Sequence, residues 1–389
     1  MNSLPSKDVA PTLTTTEKNK RLEEYRVETQ DLTRTILALA RARQKISLKI
    51  ADVKETQGYD IENHVVEDRL SKTMLAYAKR IGLDGDMAKS IISILIEHSK
   101  IAQRKRINMK IVRLHLRSNQ ISNISIIGAG RMGTWFARYF SELGKRVILL
   151  DNNTKRALAR SKEINCEYSK SFKHASLSDL VVVAVPISNT AGQIRKLIQS
   201  NAPHHKLRII EISSIKSKIS EANLLDTSKL PENVEVYSIH PLFGPSANSY
   251  SVNTMIQVGK SSDFVKGLFP HFKFFFMNWK DHDRMMSVVL TLPHSHALAF
   301  ADILLKYDHE IAKGIRGPSF DHMLDLTQKV LSENPDVYYE IQSQNPFADT
   351  AIRDMISSLE KLRQSLKSRK EFRSFFNNSS LLQELETGT

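Results

Sequence analysis

Two short segments carry side chains that could move a proton. Residues 240–245 read His-Pro-Leu-Phe-Gly-Pro after an apolar, β-branched run, so the imidazole of His240 stands in a turn that the prolines make rigid. Ser214 and Lys216 follow another such run within the segment Ser-Ser-Ile-Lys. A neutral imidazole suits general-base work near neutral pH. The residues alone leave two interpretations of His240 open, a general base or an ordinary turn histidine.

A third segment has the spacing of a dinucleotide site. Residues 124–133 read Ile-Ser-Ile-Ile-Gly-Ala-Gly-Arg-Met-Gly, an apolar run that leads straight into Gly-x-Gly-x-x-Gly. In this motif Gly128 allows a tight turn, Gly130 lets the backbone approach a pyrophosphate, and Gly133 lets the next helix pack closely on the sheet. The phosphates would lie at that helix N-terminus. The expected cofactor contacts here are Gly128, Gly130, Arg131, Met132 and Gly133.

An acidic residue stands where the second half of that site should be. A strand is predicted at 146–150, and Asp151 follows it about 20 residues beyond the glycines, where a carboxylate accepts the hydroxyls of the adenosine ribose. An ordinary turn acid is the alternative. Lys155 and Arg156 leave NADP open, but we expect NAD. Val185 and Pro186, at the end of the next apolar run, complete the expected cofactor site.

The elements that must position these residues form a doubly wound parallel sheet. Apolar runs at 179–185, 208–213 and 234–239 are separated by helical segments, as in an α/β fold. Functional groups in such sheets lie beyond the carboxyl ends of the strands, which selects Ser214 and His240. The aromatic run 272–276 is predicted to be a buried edge strand.

The first hundred residues predict an all-helical region. Residues 17–57 contain neither Gly nor Pro, and their apolar side chains recur at steps of three, four and seven, so we expect one amphipathic helix that Gly58 ends. That helix is too long to bury its stripe in its own small domain, so we expect it to pair with a second copy. Further helices are predicted at 63–80 and 86–106.

Charged and polar side chains interrupt the apolar pattern of these helices. Arg43 and Lys54 are separated by about three helical turns, so they share a face. Ser99 and Gln103 are an i, i+4 pair and present two polar groups to one point. Arg26 lies on a different face and would reach into the site of a partner. A solvated face of a basic helix is the alternative.

Composition limits the classes of protein. The chain has 389 residues with 41% hydrophobic and 25% charged residues, which suits two or three soluble globular domains. No apolar run approaches the roughly 20 residues of a membrane span, and residues 1–20 are polar, so we expect a cytoplasmic protein without a membrane partner. A single cysteine, Cys166, excludes an internal disulfide and a cysteine zinc site, and no metal is expected.

The net charge of +14 requires a partner or a substrate of opposite charge. Residues 100–117 carry many cations and no acid, but they lack an aromatic residue on which a base could stack. We therefore expect a basic connecting helix at 107–120, small polyanionic substrates and no nucleic acid.

The remaining boundaries follow from composition. We expect a disordered tail at 1–17, a helical domain at 18–106, a nucleotide-binding domain at 121–279, a helical domain at 280–376 and a tail at 377–389. Within the last domain, helices are predicted at 285–306, 319–331, 335–341 and 347–376.

The helical region resembles the three-helix chorismate mutases. The resemblance covers about 18–106 and rests on the spacing of six residues, namely Arg26, Arg43, Lys54, Glu67, Ser99 and Gln103. It implies an intertwined helical dimer and the rearrangement of chorismate to prephenate, which needs neither base nor nucleophile. Catalysis would hold a compact conformer and stabilise charge on the ether oxygen.

The resemblance also implies a role for each residue. Arg26, Arg43 and Ser99 would hold the two carboxylates of chorismate, and Lys54 and Gln103 would face the ether oxygen. Glu67 would take the substrate hydroxyl.

Two positions depart from the mutase pattern. That family usually has Arg immediately before the glutamate, where this chain has Val66, and an acid near Asn63. Asn63 would then stand in the substrate site in place of the acid. A missing cation should weaken substrate binding.

The second half of the chain resembles prephenate dehydrogenase from about 121 to 375. The resemblance rests on Ser-x-Lys at 214–216, on residues 240–245, on the strand that ends in Val185-Pro186, and on His282-Asp283 ahead of Leu-Pro293-His294. The Phe-Gly-Pro version of the histidine segment is typical of enzymes with a mutase fused ahead of them. The whole chain therefore resembles the bifunctional chorismate mutase and prephenate dehydrogenase family of tyrosine biosynthesis, a homodimer that uses NAD.

This resemblance implies the dehydrogenase roles. His240, neutral, would accept the proton of the ring hydroxyl, Ser214 would hydrogen-bond the same region, and His294 would face the substrate, with a packing histidine as the alternative. Related enzymes commonly carry a carboxylate-binding Arg where Asp321 aligns, and Arg316 would replace it. Prephenate is expected over arogenate as substrate.

Two other functions remain open from the sequence. The helical domain could be a regulatory or dimerising module without mutase activity, and a nonenzymatic nucleotide or nucleic-acid binder would also account for the charge.

Overall fold

The computed structural model describes residues 15–259, 261–307, 314–315 and 317–379 of the chain. Arg316 and nearly all of the two expected tails, 1–17 and 377–389, lie outside these residues. The chain divides into two compact units, Met1–Lys110 and Ile111–Thr389. Among the described residues, no group of histidine, cysteine and carboxylate side chains is arranged to hold a metal ion.

The first unit consists of helices. α1 spans Thr15–Gln57 and ends at Gly58, whose φ of +69° is in the left-handed region that glycine adopts without strain. α2 spans His64–Arg80, and α3 spans Gly85–Ser118, with its residues from Ile111 belonging to the second unit. The predicted boundary between a helix at 86–106 and a connecting helix at 107–120 is wrong, because nothing in this Gly- and Pro-free stretch interrupts α3.

The first unit has no large apolar core of its own. The buried apolar side chains in its described part are all alanines, namely Ala51, Ala78, Ala88 and Ala102. The stripe of α1 is exposed instead, with Leu32, Ile36 and Leu39 each more than 60% exposed. A continuous apolar surface of this kind requires a cover from outside the unit.

An eight-stranded sheet organises the second unit. The strands are β1 (Asn123–Ile127), β2 (Arg146–Leu150), β3 (Glu167–Tyr168), β4 (Leu180–Val183), β5 (Leu207–Glu211), β6 (Val234–Pro241), β7 (Thr254–Val258) and β8 (Lys273–Met277). Their order is β3-β2-β1-β4-β5-β6-β7-β8, with β1 to β6 parallel, β7 antiparallel to β6, and β8 parallel to β7. The expected doubly wound parallel sheet is thus confirmed, with a reversed edge pair added.

Helices cover the faces of this sheet. They are α4 (Arg131–Glu142), α5 (Thr154–Ile164), α6 (Phe172–Ser176), α7 (Ile187–Ser200), α8 (Ser217–Glu221) and α9 (Asp263–Leu268). The aromatic side chains of α4 are buried, and Tyr139 stacks between Trp135 and Phe269 with ring centroids 5.6 and 5.3 Å away. Burial of this face fixes α4, and with it the glycine turn, against the sheet.

The aromatic run at 272–276 supplies most of the last strand of the sheet. β8 is the edge strand that was expected, but it is not buried: Phe275 and Phe276 are each more than 40% exposed, because the terminal strand lacks a full covering layer.

Cys166 is half-buried after α5, and burial, together with the charge of Glu167, raises the pKa of its thiol to about 11.

The chain ends in further helices. α10 (Trp279–Met286) continues through a π-turn, Ser287–Thr291, into α11 (Leu292–Leu304), and α12 (Pro318–Leu331), α13 (Pro335–Ser343), α14 (Ala348–Ser365) and α15 (Arg369–Ser379) follow. The single helix predicted at 347–376 is two helices, because Ser368 starts a new one by accepting a hydrogen bond from Glu371 N through Oγ.

One helical stretch in the described chain, Trp279–Leu304, is long and apolar enough to cross a membrane by length and composition alone. The expectation that no segment would meet this measure was wrong. Most of this stretch is exposed, including Val288, Leu298 and Ile303. Like α1, it presents an apolar surface that the described residues of its own unit leave exposed.

Candidate active sites

The two candidate proton-transfer segments meet at one edge of the sheet. β5 and β6 are parallel neighbours, and Glu211 at the end of β5 is in register with Ser238 of β6. Ser214 therefore follows one strand and His240 lies at the end of the next, as predicted from the chain order.

A buried ion pair joins these two strand ends. Lys216 and Glu211 are both fully buried, and Lys216 Nζ donates to Glu211 Oε1 at 2.6 Å and to the carbonyl of Ile239 at 2.8 Å. Ser213 donates to the second oxygen of Glu211 through both N and Oγ. Burial lowers the pKa of Lys216, and the facing Glu211 opposes this. The lysine of Ser-x-Lys thus binds the carbonyl of the residue just before His240.

His240 is held by a chain of hydrogen bonds from α10. Its Nδ1 lies 3.0 Å from Nε2 of His282, and Nδ1 of His282 lies 2.7 Å from Oδ1 of Asp283. His240 is 4% exposed, and His282 and Asp283 are fully buried. Burial, and then the neighbouring His282 and Lys216, lower the pKa of His240 well below its usual value. His240 is therefore neutral at pH 7.

The hydrogen-bond partners determine which ring nitrogen carries the proton in His282 and in His240. The carboxylate of Asp283 can only accept, so Nδ1 of His282 carries a proton. Burial lowers the pKa of His282 despite the opposing charge of Asp283, so the ring is neutral and its Nε2 accepts. Nδ1 of His240 must then be the donor. This leaves Nε2 of His240 without a proton and with a free lone pair.

Asp283 is fixed in turn by backbone groups. Its Oδ1 accepts a hydrogen bond from Lys216 N and its Oδ2 accepts one from Ser217 N, both at 2.8 Å. Asn345 donates through Nδ2 to the carbonyl of Asp283. The sequence singled out His282-Asp283 only as part of a motif and missed Asn345. A His-Asp pair on the inner side of an amphipathic helix was the available signal.

The other two expected dehydrogenase residues lie outside this chain of bonds. Ser214 is partly buried, and its hydroxyl forms no hydrogen bond within the described residues. His294 on α11 packs edge-on against Tyr338 with ring centroids 4.5 Å apart, and burial lowers its pKa. Its Nδ1 is buried without a hydrogen-bond partner among the described atoms, whereas His296 is exposed. The ring contact with Tyr338 shows that His294 packs against a neighbouring helix, and its role toward substrate stays a prediction.

The glycine turn has the shape that a dinucleotide requires. Gly128 has φ of +109°, and a Cβ there would lie 2.2 Å from the carbonyl oxygen of Ala184; a Cβ on Gly133 would lie 1.9 Å from the carbonyl oxygen of Gly128. A Cβ on Gly130 would meet nothing within 4 Å, so open space lies beside the backbone at the start of α4. The turn therefore fits a pyrophosphate at a helix N-terminus. Val185 and Pro186 directly follow Ala184.

Asp151 lies beside this turn with its hydrogen-bonding capacity filled. It accepts hydrogen bonds from Ala129 N at 2.6 Å and Asn153 N at 2.7 Å, and Arg156 Nη2 lies 2.9 and 2.8 Å from its two oxygens. A carboxylate offers about four lone-pair sites, so a ribose hydroxyl can bind only if Arg156 releases one. The side chain of Arg156 is 51% exposed, so water can replace its contact with Asp151.

Helices from the end of the chain reach the same region. The guanidinium of Arg131, within the glycine motif, pairs with Glu333, which follows α12. Glu340 of α13 accepts hydrogen bonds from Ile187 N and Ser188 Oγ at the start of α7. The helices that follow the sheet thus contact both segments expected to bind the cofactor. Met132, also expected there, is partly buried.

In the first unit, α1 and α3 bring together several of the residues expected for a mutase. Arg43 Nη1 donates to Ser99 Oγ and to the carbonyl of Leu95. Lys54 Nζ donates to the carbonyl of Ile61 at 2.5 Å. Gln103 is 6% exposed, and its Oε1 has no hydrogen-bond partner among the described residues. An unpaired buried amide oxygen is costly unless a ligand or water satisfies it.

The start of α2 holds Glu67 in place. Asn63 caps this helix by accepting a hydrogen bond from Val66 N, and its own N donates to Glu67 Oε1 at 3.4 Å. This reciprocal arrangement resembles a capping box, with the acid one position later than the usual third residue of the helix. The amide oxygen of Asn63, expected at the substrate, is therefore engaged in the helix cap.

Arg26 lies apart from this cluster. Its side chain is exposed and pairs with Glu23 one turn earlier on α1. The described residues of the first unit do not bring it to Arg43, and its place in the site of another copy stays a prediction.

Three family models match this chain. "Chorismate mutase type II" matches residues 25–104, "Prephenate dehydrogenase, nucleotide-binding domain" matches 136–256, and "Prephenate dehydrogenase, dimerization domain" matches 279–378. The two dehydrogenase models together cover more than half of the chain.

Curated relatives match the dehydrogenase part. The probable arogenate/prephenate dehydrogenase of Methanocaldococcus jannaschii is 29% identical over 238 residues, 57% of this chain and 52% of the relative. The prephenate dehydrogenase [NADP(+)] of Saccharomyces cerevisiae is 22% identical over 254 residues, 61% of this chain and 55% of the relative. The chain thus spans about half the length of these relatives.

Solved structures share the fold. Prephenate dehydrogenase from Aquifex aeolicus, in complex with hydroxyphenyl propionate and NAD+, superposes with a TM-score of 0.55 at 18% identity over 69% of this chain and 98% of that one. Arogenate dehydrogenase from Synechocystis gives a TM-score of 0.52 at 15% identity over 68% and 99%. Together with the family models, these findings show that the chain belongs to the prephenate dehydrogenase family and carries a chorismate mutase type II domain ahead of its two dehydrogenase domains.

Proposed function

We propose that this chain rearranges chorismate to prephenate and then oxidatively decarboxylates prephenate to 4-hydroxyphenylpyruvate, two steps of tyrosine biosynthesis. The observation that carries the dehydrogenase half is the buried chain of hydrogen bonds from Asp283 through His282 to His240. The observation that carries the mutase half is the contact of Arg43 with Ser99, beside the unpaired oxygen of Gln103.

In the dehydrogenase half, His240 accepts the proton of the substrate's ring hydroxyl as the carbonyl forms. NAD, when bound, supplies the acceptor for the hydride that leaves the same ring carbon. The ring carboxylate departs as CO2, and aromatisation drives the reaction. The bonds from His282 and Asp283 keep the basic nitrogen of His240 unprotonated and oriented. Ser214 hydrogen-bonds the reacting region, and His294 faces the substrate.

The cofactor is held by the glycine turn and its neighbours. Gly128, Gly130 and Gly133 let the backbone close on the pyrophosphate, with Arg131 and Met132 in the same turn and Val185 and Pro186 at the adjoining strand end. Asp151 accepts the ribose hydroxyls once Arg156 moves. NAD is proposed over NADP because the acid stands directly at the end of β2.

In the mutase half, charge placement performs the reaction. Arg43 and Ser99, joined by Arg26 from a second copy, bind the two carboxylates, and Lys54 and Gln103 stabilise charge on the ether oxygen. Glu67 takes the hydroxyl. Asn63 supports this site by capping α2 and orienting Glu67.

A homodimer is part of the proposal. The exposed stripes of α1 and α11 and the match to a dimerization domain both support it. The single free cysteine supports a cytoplasmic location, and the cationic side chains are accounted for by small anionic substrates without nucleic acid or membrane.

Two assays test the proposal. Purified protein should consume chorismate in the absence of cofactor, and it should reduce NAD when supplied with prephenate. Absence of the second activity would remove the dehydrogenase assignment, and absence of the first would remove the mutase assignment.

One structural observation favours a second candidate function for the helical domain. Val66 supplies no cation, and Asn63 is engaged in a cap, so this domain could serve only to regulate or dimerise a dehydrogenase. Purified protein that does not convert chorismate but has full dehydrogenase activity would establish that function instead.

The choice of prephenate over arogenate rests on charge. Arogenate carries an ammonium group where prephenate carries a ketone, so an acid such as Asp321 near the side chain would favour arogenate. The mutase domain would deliver prephenate, which we therefore propose as substrate. The test compares kcat/KM for both substrates in wild type and Asp321→Asn; a wild-type preference for arogenate that the variant loses would reverse the choice.

A further inference from the structure

Two adjacent rows of polar side chains lie along α3. Ser99 and Gln103 form one row, and Lys100 and Arg104 form the other, each pair one helical turn apart. The first row contacts Arg43 of α1. The second contacts the start of α2, where Lys100 pairs with Glu67 and Arg104 pairs with Glu62. The second row was not part of the expected mutase site.

Lys100 is a partly buried cation with acidic partners. Its side chain is 18% exposed, and its Nζ lies 3.3 Å from Glu67 Oε2 and 3.3 Å from Glu97 Oε2. Burial alone would lower the pKa of Lys100, but the hydrogen bonds that its ammonium donates to Glu97 and Glu67 outweigh this effect and raise the pKa. Lys100 is therefore charged at every pH at which the enzyme would be assayed.

Glu67 is consequently held through both of its oxygens. Oε1 accepts a hydrogen bond from Asn63 N, and Oε2 accepts one from Lys100. The residue before Glu67 is Val66, an exposed apolar side chain that offers no charge. The positive charge beside Glu67 thus comes from α3, through direct contact with Lys100.

We propose that Lys100 is a positioning residue of the mutase site, which fixes the Glu67 carboxylate so that it accepts the ring hydroxyl of chorismate. The proposal rests on the mutase activity proposed above. Lys100 takes the place of a cation on α2 by approaching Glu67 from the neighbouring helix.

Loss of Lys100 should change KM for chorismate and leave kcat nearly unchanged. The hydroxyl takes no part in the bonds that form and break, so a contact with it is equally strong in the bound substrate and in the transition state. Losing such a uniform contact raises KM and leaves kcat nearly unchanged. A charge-assisted hydrogen bond is worth roughly 1.5 to 3 kcal/mol, so KM should rise by about 10-fold or more.

The experiment measures chorismate turnover by the full-length protein carrying Lys100→Met, with Lys100→Arg as the variant that keeps the charge. Lys89→Met is the matched control, because Lys89 is another α3 lysine in an ion pair, with Asp86, but is 66% exposed. Each protein is assayed with chorismate and with the analogue in which hydrogen replaces the ring hydroxyl. Thermal unfolding of each variant reports whether α3 remains folded.

Lys100→Met should raise KM for chorismate about 10-fold with kcat within about threefold of wild type, and Lys100→Arg should restore most of the loss. With the analogue, Lys100→Met and wild type should have the same KM, because the contact that Lys100 supports is absent. Lys89→Met should match wild type throughout.

Three results would overturn the proposal. They are an unchanged KM in Lys100→Met, an equal loss with chorismate and with the analogue, or a fall in kcat and melting temperature that Lys100→Arg does not reverse. A wild-type protein without any chorismate turnover would instead refute the mutase function itself, so the two failures are distinct.

Discussion

The two candidate sites are built in opposite ways. Around His240 the side chains are almost completely buried, and each bond ends on another group of the same subunit, from His282 to Asp283 to the backbone of Lys216. In the first unit, Arg26 is exposed, Arg43 and Lys54 are partly buried, and the buried apolar side chains are alanines only. The hydrogen bonds of His240 are closed within the described residues of one chain, whereas the first unit leaves a cation and an apolar stripe exposed.

The difference suits the chemistry proposed for each site. A general base needs one nitrogen of known protonation, which burial and a fixed tautomer provide. A pericyclic rearrangement needs only that charges surround a compact conformer, and arginine and lysine side chains from several helices can do this. The predictions below probe the two sites separately, beginning with the largest expected effect.

Removing the base should have the largest effect. His240→Asn should lower dehydrogenase turnover by about 10²- to 10⁴-fold, the range for a lost general base, while chorismate turnover persists. Steady-state rates with prephenate and NAD, and with chorismate, measure this. His204→Asn, an exposed turn histidine, is the control. Parallel loss of both activities would show damage to folding and would leave the assigned role without support.

The corresponding change in the mutase should be comparably selective. Lys54→Ala should lower chorismate turnover by about 10²- to 10³-fold, because it removes the cation that we propose to face the ether oxygen. NAD reduction with supplied prephenate should stay within about twofold of wild type. Lys49→Ala, an exposed residue of α1, serves as the control. Undiminished chorismate turnover would eliminate this site.

A subtler change should reverse the tautomer of His240. In Asp283→Asn, the amide can donate to Nδ1 of His282, whose Nε2 would then carry the proton and donate to Nδ1 of His240. The proton of His240 would move to Nε2 and block the base, so kcat should fall by about 10²-fold. The exposed Asp281→Asn is the control for the same helix. Wild-type kcat in Asp283→Asn would show that this carboxylate does not set the tautomer.

The cofactor site should respond more weakly. Arg156→Ala frees a lone pair of Asp151 for the ribose and removes the nearest guanidinium from a 2′-phosphate. The ratio of kcat/KM for NADP to that for NAD should therefore fall by about 10-fold. Arg160→Ala changes a second arginine of α5, which pairs with Glu163, and should leave the ratio unchanged. An unaltered ratio in Arg156→Ala would exclude a role in cofactor choice.

The smallest effect concerns stability against pH. The pKa of His240 is lowered in the folded state and lies near 6.5 in the unfolded chain. Below that pH the unfolded chain binds a proton that the folded chain does not. The contribution of the neutral His240 to the free energy of unfolding is therefore fully present above pH 6.5 and is lost as the pH falls. Between pH 7.5 and 5.5, the free energy of unfolding of the wild type should fall by about 1 kcal/mol more than that of His240→Asn.

Tryptophan fluorescence during urea unfolding measures this, because both tryptophans of the chain, Trp135 and Trp279, lie in the second unit. Equal losses in wild type and variant would mean that His240 titrates normally in the folded protein.

The sequence was most informative where a local pattern determined the structure. The glycine spacing predicted the turn at Gly128, and the strand ends predicted the place of His240. Asn63 shows the limit of such reasoning, because its position in a family pattern suggested a substrate contact while its local chemistry, an Asx residue before a helix, favours a cap. Local capping was the stronger signal.

Pairings between distant segments could not be predicted. His240 and His282 are 42 residues apart, and only the docking of α10 brings them together. Lys100 looked like one more cation of a basic helix, because its partner Glu67 stands on another helix. The continuity of α3 was predictable from the absence of Gly and Pro, but the basic composition of 107–117 suggested a separate element.

The inert thiol of Cys166 has a practical consequence. A thiol whose pKa is about 11 is almost entirely protonated at pH 7 and reacts slowly with electrophilic labels. Since no other cysteine is present, a cysteine introduced at an exposed position such as Lys49 would be the preferred attachment point for a spin label. The separation between two such labels would then report directly on how α1 helices from two chains come together in solution.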